Sequence, residues 1–181
     1  GGVGLNSVAN GLLTKSGLYK NIFIQPAAGD SGTAMGSALL YNHYHLKRER
    51  KYKLDTAFLG YGYTDDQYVA ELNKAKVPYL KTDRFTEFAA KKLKEGNILG
   101  WHQGRMEFGP RALGNRSIIA NPMLESMKDV LNARVKFREG FRPFAALVLE
   151  EDCGVYFDSS YPSPYMLKVY DVKEEYRSKL L

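Results

Sequence analysis

The sequence predicts a mixed α/β fold arranged in two blocks, and three observations predict it. Stretches with apolar residues at helical spacing alternate with short apolar runs. Glycine-rich loops follow two of those runs. A charged, aperiodic stretch at 47–55 separates the two blocks. The 181 residues are 44% apolar and 25% charged, ordinary globular usage that excludes a disordered chain or a coiled coil. No apolar run approaches the ~20 residues of a membrane-spanning helix.

In the first block, Leu5, Val8, Ala9 and Leu12 recur at i, i+3, i+4 and i+7 and predict a helix over 3–16, with Gly17 as its stop. The run 22–24 (Ile-Phe-Ile), bounded by Asn21 and Pro26, predicts a short buried strand. Residues 27–32 form a small-residue loop, and 33–46 predict a second helix with Ala34, Gly36, Ser37 and Ala38 on its early turns. Small side chains there permit close approach to a neighbouring backbone or a ligand.

The second block begins at Leu59. Thr64 followed by Gln67 is a capping-box pattern, opening a helix with Val69, Leu72 and Ala75 inward and Pro78 beyond its end. A further helix over 83–95 places Phe85, Phe88, Ala89 and Leu93 on one face and stops at Gly96. Strands are predicted at 98–101, 118–120 and 144–149, and a helix over 125–137 with Met127, Val130, Leu131 and Val135 inward. The domain boundaries read from this pattern are 1–50 and 56–181. The opening Gly1-Gly2-Val3 and the closing Leu180-Leu181 carry no structural start or stop, so the chain reads as an excerpt of a larger protein.

Net charge is +6, and it is concentrated. Residues 101–143 hold eight basic and four acidic side chains. Such a surplus points to an anionic partner: phosphate, nucleotide or nucleic acid. The single cysteine, Cys153, rules out an internal disulfide and any Cys-based zinc pattern, and fits a reducing, cytoplasmic setting.

Four constellations bear chemistry. Gly2, Gly4 and Asn6 at a helix start offer backbone N–H groups and an amide to a ligand; a tight turn alone explains them as well. Gly29-Asp30-Ser31-Gly32 follows a predicted strand and opens a helix. Asp30 there is either a ligand for a hard metal ion or an ordinary helix cap. The stretch 104–117 packs Arg105, Arg111 and Arg116 among three glycines, with Asn115 and Ser117 beside them. Guanidinium groups so close repel unless an anion or carboxylate holds them, and their forks suit phosphate oxygens. Lys136, Arg138 and Arg142 alternate with Phe137, Phe141 and Phe144. That alternation fits the far wall of the same anion pocket, a nucleic-acid surface with stacking platforms, or a salt bridge to Glu139. His43 and His45, two apart, cannot share a metal on a helix. His102, at the end of a strand and entering the arginine loop, is either an acid–base group or a packing residue.

Taken in order, 1–6, 25–32, 104–117 and 141–144 resemble the O-carbamoyltransferases of the nodulation and antibiotic-biosynthesis type. The resemblance implies the tail of an actin-like (ASKHA) domain, similar to the universal tRNA-threonylcarbamoylation protein, followed by part of a YrdC-like α/β domain. It implies a reaction that consumes ATP and carbamoyl phosphate, forms carbamoyl adenylate, and passes the carbamoyl group to a hydroxyl of a small molecule or glycan. By the same resemblance Arg111, Lys136 and Arg142 hold carbamoyl phosphate and carry the catalysis, while Arg105, Asn115, Arg116 and Ser117 complete the binding motif. Gly2, Asn6 and Gly29 contact the nucleotide. Asp30 is a ligand of a divalent metal (iron or magnesium), whose other ligands, two histidines four apart among them, lie outside this chain. The expected partners are these small molecules, with no membrane and no nucleic acid; the oligomeric state is left open. The excerpt alone is expected to lack transfer activity. Two other readings stay open: a basic nucleic-acid-binding module, and carbamoylation of a protein or tRNA as in sister families.

Overall fold

The computed structural model describes residues 1–159 and 161–180. Helix α1 (Ser7–Lys15) starts where Asn6 Oδ1 accepts the Ala9 N–H at 3.0 Å and ends before Gly17, whose φ of +67° a glycine adopts without cost. Its packed face differs from the one the apolar spacing predicts. Val8 and Leu12 are exposed, while Asn10 and Gly11 are buried. The reason is the close approach of 167–171. Asn10 Nδ2 donates to the carbonyls of Gly4 and Leu167, both at 3.0 Å, and a Cβ on Gly11 would stand 2.6 Å from the Val169 oxygen. Lys15 pairs with Asp171 along the same seam.

The predicted strand at 22–24 does not form. Ile22 and Ile24 are half-buried and Phe23 is 77% exposed, an extended alternation with no partner strand among the described residues. Helix α2 (Asp30–Leu40) begins three residues earlier than expected and is prolonged by a π-helical turn, Tyr41–His45. The charged stretch at 47–55 carries no regular structure.

Helix α3 (Asp65–Lys74) opens with the predicted capping box: Thr64 Oγ1 accepts from Gln67 N, and Gln67 Oε1 accepts from Thr64 N. Val69 and Leu72 are half-buried, whereas Ala75 is exposed. Helix α4 (Phe85–Lys94) ends at Glu95–Gly96, as the sequence predicts. It packs on strand β1 (Leu99–His102), with Phe85 and Trp101 ring centroids 6.1 Å apart.

Strand β2 (Arg116–Ile119) pairs with β1 in antiparallel register: Leu99 with Ile119, Gly100 with Ile118, Trp101 with Ser117 and His102 with Arg116. Arg116 and Ser117 therefore stand on a strand, not in the preceding loop as the sequence reading placed them. Helix α5 (Met127–Val130) runs on into a π-helical segment, Leu131–Lys136. Met127 and Leu131 are buried as predicted, with Val130 and Val135 half-buried.

The predicted strand at 144–149 is absent as well; Leu147 and Leu149 are exposed, and no described segment pairs with them. The described chain buries few large apolar side chains. Its accessible area of 13769 Å² exceeds the roughly 8,800 Å² of a compact monomer of 20.4 kDa. Among the described residues the result is a mixed α/β chain with one two-stranded sheet. No helix among the described residues is long and apolar enough to cross a membrane.

Candidate functional site

The β1–β2 pair has two unlike faces. Successive side chains on a strand point to opposite sides, so Leu99 and Trp101 turn toward α4 while Gly100 and His102 turn away. Opposite them on the same open face stand Ile118 and Arg116. The end of the α5 helical segment brings Lys136 over this face. The cleft so formed has a volume of about 350 Å³, and its lining includes His102, Arg116, Ser117, Ile118 and Lys136. A cleft of that size accommodates a small phosphorylated molecule.

The loop joining the two strands is held by one carboxylate. Glu107 Oε1 accepts the backbone N–H groups of Leu113 at 2.8 Å, Asn115 at 2.9 Å and Arg116 at 3.1 Å. Burial pushes this carboxyl up, but the donated N–H groups of Leu113, Glu107 itself, Asn115 and Arg116 outweigh it, and the group titrates below the ordinary glutamate value. Ser117 Oγ accepts the Gly114 N–H at 2.9 Å, and Asn115 Nδ2 donates to the Arg105 carbonyl at 2.7 Å. The loop is anchored outward by Arg105, whose Nε and Nη2 donate to the carbonyls of Gly60 and Leu59 at 2.9 Å each. Backbone bonds from Met106 and Phe108 to Tyr61 and Ala57 run alongside.

The sequence-predicted site residues fall into separate places. Arg116 and Lys136 both line the cleft; Ser117 borders it too, but pairs with Trp101 and so carries its side chain on the other face of the strand pair. Arg111 lies elsewhere: its Nη2 donates to the Leu5 carbonyl at 3.1 Å, and its Nε is buried with no partner among the described residues. It thereby joins the arginine loop to the turn that carries Gly2 and Asn6. Gly109, at φ +118°, is part of the same junction; a Cβ there would stand 3.1 Å from the Pro26 oxygen and 3.3 Å from Ala27 Cβ. The turn at 1–6 also touches the 26–30 loop, where a Cβ on Gly4 would lie 3.2 Å from Ala28 Cβ. So Arg111 and Gly109 join the arginine loop to the two segments that carry Gly2 and Asn6 on one side and Gly29 on the other. Asn6 is itself spent on capping α1 through Oδ1.

Asp30 is the first residue of α2 and exposed, with Gly29 in the cap position and no side-chain cap bond. The reading of Asp30 as an ordinary cap is therefore not what the helix shows. No group of three or more His, Cys, Asp or Glu side chains gathers among the described residues. A lone exposed carboxylate supplies one ligand and is not a metal centre by itself. His43 and His45 sit on the π turn, with His43 Nδ1 bonded to the Arg48 carbonyl at 2.9 Å.

Arg142 stays outside the cleft, its Nε 3.0 Å from Glu139. Arg138 stacks over Phe144 at 4.8 Å from the ring centre, and its Nε donates to Asn132 Oδ1 at 2.8 Å. Within this stretch Arg142 forms the ion pair with Glu139, while Lys136 lines the cleft.

Two site-building residues escaped the sequence reading. Asn132, 1% exposed, donates through Nδ2 to the carbonyls of Gly140 and Arg142 at 3.3 and 3.0 Å and so closes the turn that follows Lys136. A polar residue amid an apolar helical face was the signal available. Glu107 was counted only among the acids; its position between three glycines was the available hint.

A family model described as carbamoyltransferase C-terminus matches residues 90–181, and one described as carbamoyltransferase N-terminus matches residues 1–39. Among curated proteins, the chain is 48% identical over 188 residues to an uncharacterized protein of Synechocystis sp., covering 99% of this chain and 31% of that protein. It is 41% identical over 186 residues to the nodulation protein NolNO of Sinorhizobium fredii, covering 99% and 27% respectively. With the 3'-hydroxymethylcephem-O-carbamoyltransferase of Streptomyces clavuligerus the identity is 33% over 183 residues, covering 97% and 32%. The chain thus spans about a third of the length of these relatives.

Proposed function

Because this chain belongs to the carbamoyltransferase family, we propose that it contributes the donor-phosphate site of an ATP-dependent transfer of a carbamoyl group to a hydroxyl acceptor. Carbamoyl phosphate first loses its phosphate to water and leaves carbamate. A carbamate oxygen then attacks the α-phosphorus of ATP, expelling pyrophosphate and forming carbamoyl adenylate. The acceptor hydroxyl attacks the carbonyl carbon of that adduct, AMP departs, and the hydroxyl proton passes to solvent. A hydroxyl acceptor is supported by the name of the cephem O-carbamoyltransferase among the relatives.

The observation that carries the reading is the cleft lined by both Arg116 and Lys136, with Arg116 Nη1 3.3 Å from Met106 Sδ. Fixed cations there stabilise the charge that accumulates on a departing phosphate. Arg111 lies between this loop and the turn proposed for the nucleotide, at Gly2, Asn6 and Gly29, and its buried Nε is a donor awaiting an acceptor. Arg142 reaches the anion by exchanging Glu139 for it, and Arg105 and Asn115 hold the loop in shape. Asp30 would serve as one ligand of a divalent metal beside the nucleotide, the remaining ligands coming from outside this chain. We place the YrdC-like α/β part at 56–181 and the actin-like tail at 1–50, in a cytoplasmic protein.

The test is carbamoyl adenylate formation from ATP and carbamoyl phosphate by the intact protein. Each lost charge-assisted hydrogen bond is worth roughly 1.5–3 kcal/mol, so Arg116→Ala and Lys136→Ala should each cut the rate at least tenfold. Unchanged rates in both variants overturn the assignment of the cleft.

A further inference from the structure

We infer that His102 is a third donor to the anion in this cleft, and that Tyr68 is the positioning residue that fixes which ring nitrogen it offers. The inference rests on the reading of the cleft as a phosphate site and names a further residue of it.

His102 is placed by register. It stands opposite Arg116 on the open face of the β1–β2 pair, and it lines the same cleft as Lys136. Its ring is engaged on one side only. Tyr68 Oη lies 2.9 Å from His102 Nδ1, and the two rings meet edge to face at 5.7 Å and 77°. Nε2 has no hydrogen-bond partner among the described residues. Tyr68 belongs to α3 and does not line the cleft, so Nδ1 is the nitrogen turned away from it.

The contact admits either direction, and the tautomer inferred here is the one in which Tyr68 donates. A phenol hydroxyl donating to Nδ1 leaves the proton of neutral imidazole on Nε2. When the ring is protonated, Nδ1–H donates to the phenol oxygen instead, and Nε2 still carries a proton. In either state His102 presents an N–H donor at Nε2, which suits an anion and not a cation. Tyr68 is held in turn. It follows directly on the Thr64–Gln67 capping box, and its ring packs on Tyr63 at 5.7 Å, which packs on Tyr61 at 4.8 Å. Tyr61 accepts a backbone bond from Met106 of the arginine loop, so the loop that leads into Arg116 also braces the aromatic chain behind His102.

The experiment is calorimetric titration of the intact protein with inorganic phosphate, the departing half of the proposed donor. Removing one hydrogen bond to a charged ligand weakens binding by roughly tenfold or more, so His102→Phe should show that loss, and His102→Gln, whose amide reaches the position of Nε2, should recover most of it. Tyr68→Phe should weaken binding roughly threefold in the His102 background and leave it unchanged in the His102→Gln background, a coupling that a merely structural tyrosine would not show. If Arg116→Ala and Lys136→Ala weaken phosphate binding while His102→Phe binds like the native protein, the cleft stands and the role of His102 falls. If Arg116→Ala and Lys136→Ala change nothing, the cleft itself is misassigned. Should His102→Phe fail to fold, equal effects of Tyr68→Phe in both backgrounds overturn the inference on their own.

Discussion

The carboxylate of Glu107 accepts the backbone N–H of Asn115 at 2.9 Å across a loop rich in positive charge. The same oxygen takes the N–H groups of Leu113 and Arg116, so one side chain sets the path of the chain into β2. Arg105, Arg111 and Arg116 are thus not balanced by ion pairing to this acid. It neutralises backbone dipoles instead and leaves the guanidinium groups for other partners.

Stability should depend on pH through this residue. Its carboxyl titrates lower in the folded chain than in the unfolded one, after burial and the opposing backbone donors are taken together. The stabilisation is therefore present above the ordinary glutamate value and is lost as pH falls through the folded value. Because Glu107 is only half-buried, the contribution is discounted for solvent screening to about 1–2 kcal/mol. Thermal unfolding of the intact protein between pH 7 and pH 3 should show Glu107→Gln less stable at neutral pH and converging on the native protein in acid. Parallel curves would remove Glu107 from this role.

Asn132 offers a second prediction. Its amide is buried and satisfies both the Arg138 guanidinium and two carbonyls of the turn at 140–142. Asn132→Ala strands these groups together, at a cost of about 3 kcal/mol for the set. Chemical denaturation should register that loss. Asn132→Asp, which keeps the acceptor for Arg138 but loses the donor to Gly140 and Arg142, should fall between.

Much of this was legible in the sequence where the signal is local. The Thr64–Gln67 capping box, the stop at Gly96 and the inward Met127 and Leu131 all depend on neighbours within a few residues, and all are found. The strands expected at 22–24 and 144–149 fail because a strand is completed by a partner, and no described segment lies beside either one. The packed face of α1 was misread for a related reason. Apolar spacing marked Val8 and Leu12, but the contact with 167–171 selects the side where Asn10 and Gly11 let a backbone come near. The site was legible as composition, a run of arginines among glycines, but not as geometry. Nothing in the spacing told that Arg116 would meet Lys136 on a strand face while Arg111 turned to Leu5 and Arg142 to Glu139.

Gly109 should tolerate no side chain. Its φ of +118° is strained for any L residue, and an added Cβ would press on Pro26 and Ala27. Gly109→Ala should cost about 1–3 kcal/mol. It should also push the arginine loop away from the 26–30 loop, raising the KM for ATP more than that for carbamoyl phosphate. Equal changes in both would place the strain elsewhere.

Arg105 and Arg111 belong to one motif yet should respond oppositely to removal. Arg105 directs Nε and Nη2 to the carbonyls of Gly60 and Leu59. Arg111 bonds one carbonyl, that of Leu5, and keeps a buried Nε without a described partner. Losing Arg105 breaks a bond between loop and scaffold, so Arg105→Ala should lower stability by about 2 kcal/mol and reduce ligand binding only in proportion to unfolding. Arg111→Ala should leave the melting temperature within a few degrees of native and cut carbamoyl adenylate formation roughly 10- to 100-fold, the size of a lost charge-assisted hydrogen bond. Arg111→Lys should restore little, since a single ammonium cannot serve Leu5 and a ligand with the fixed fork of a guanidinium. Paired unfolding and rate measurements on the three variants decide the matter: if Arg111→Ala loses stability and activity in step, as Arg105→Ala is expected to, its role is confined to joining the loop to the turn at Leu5.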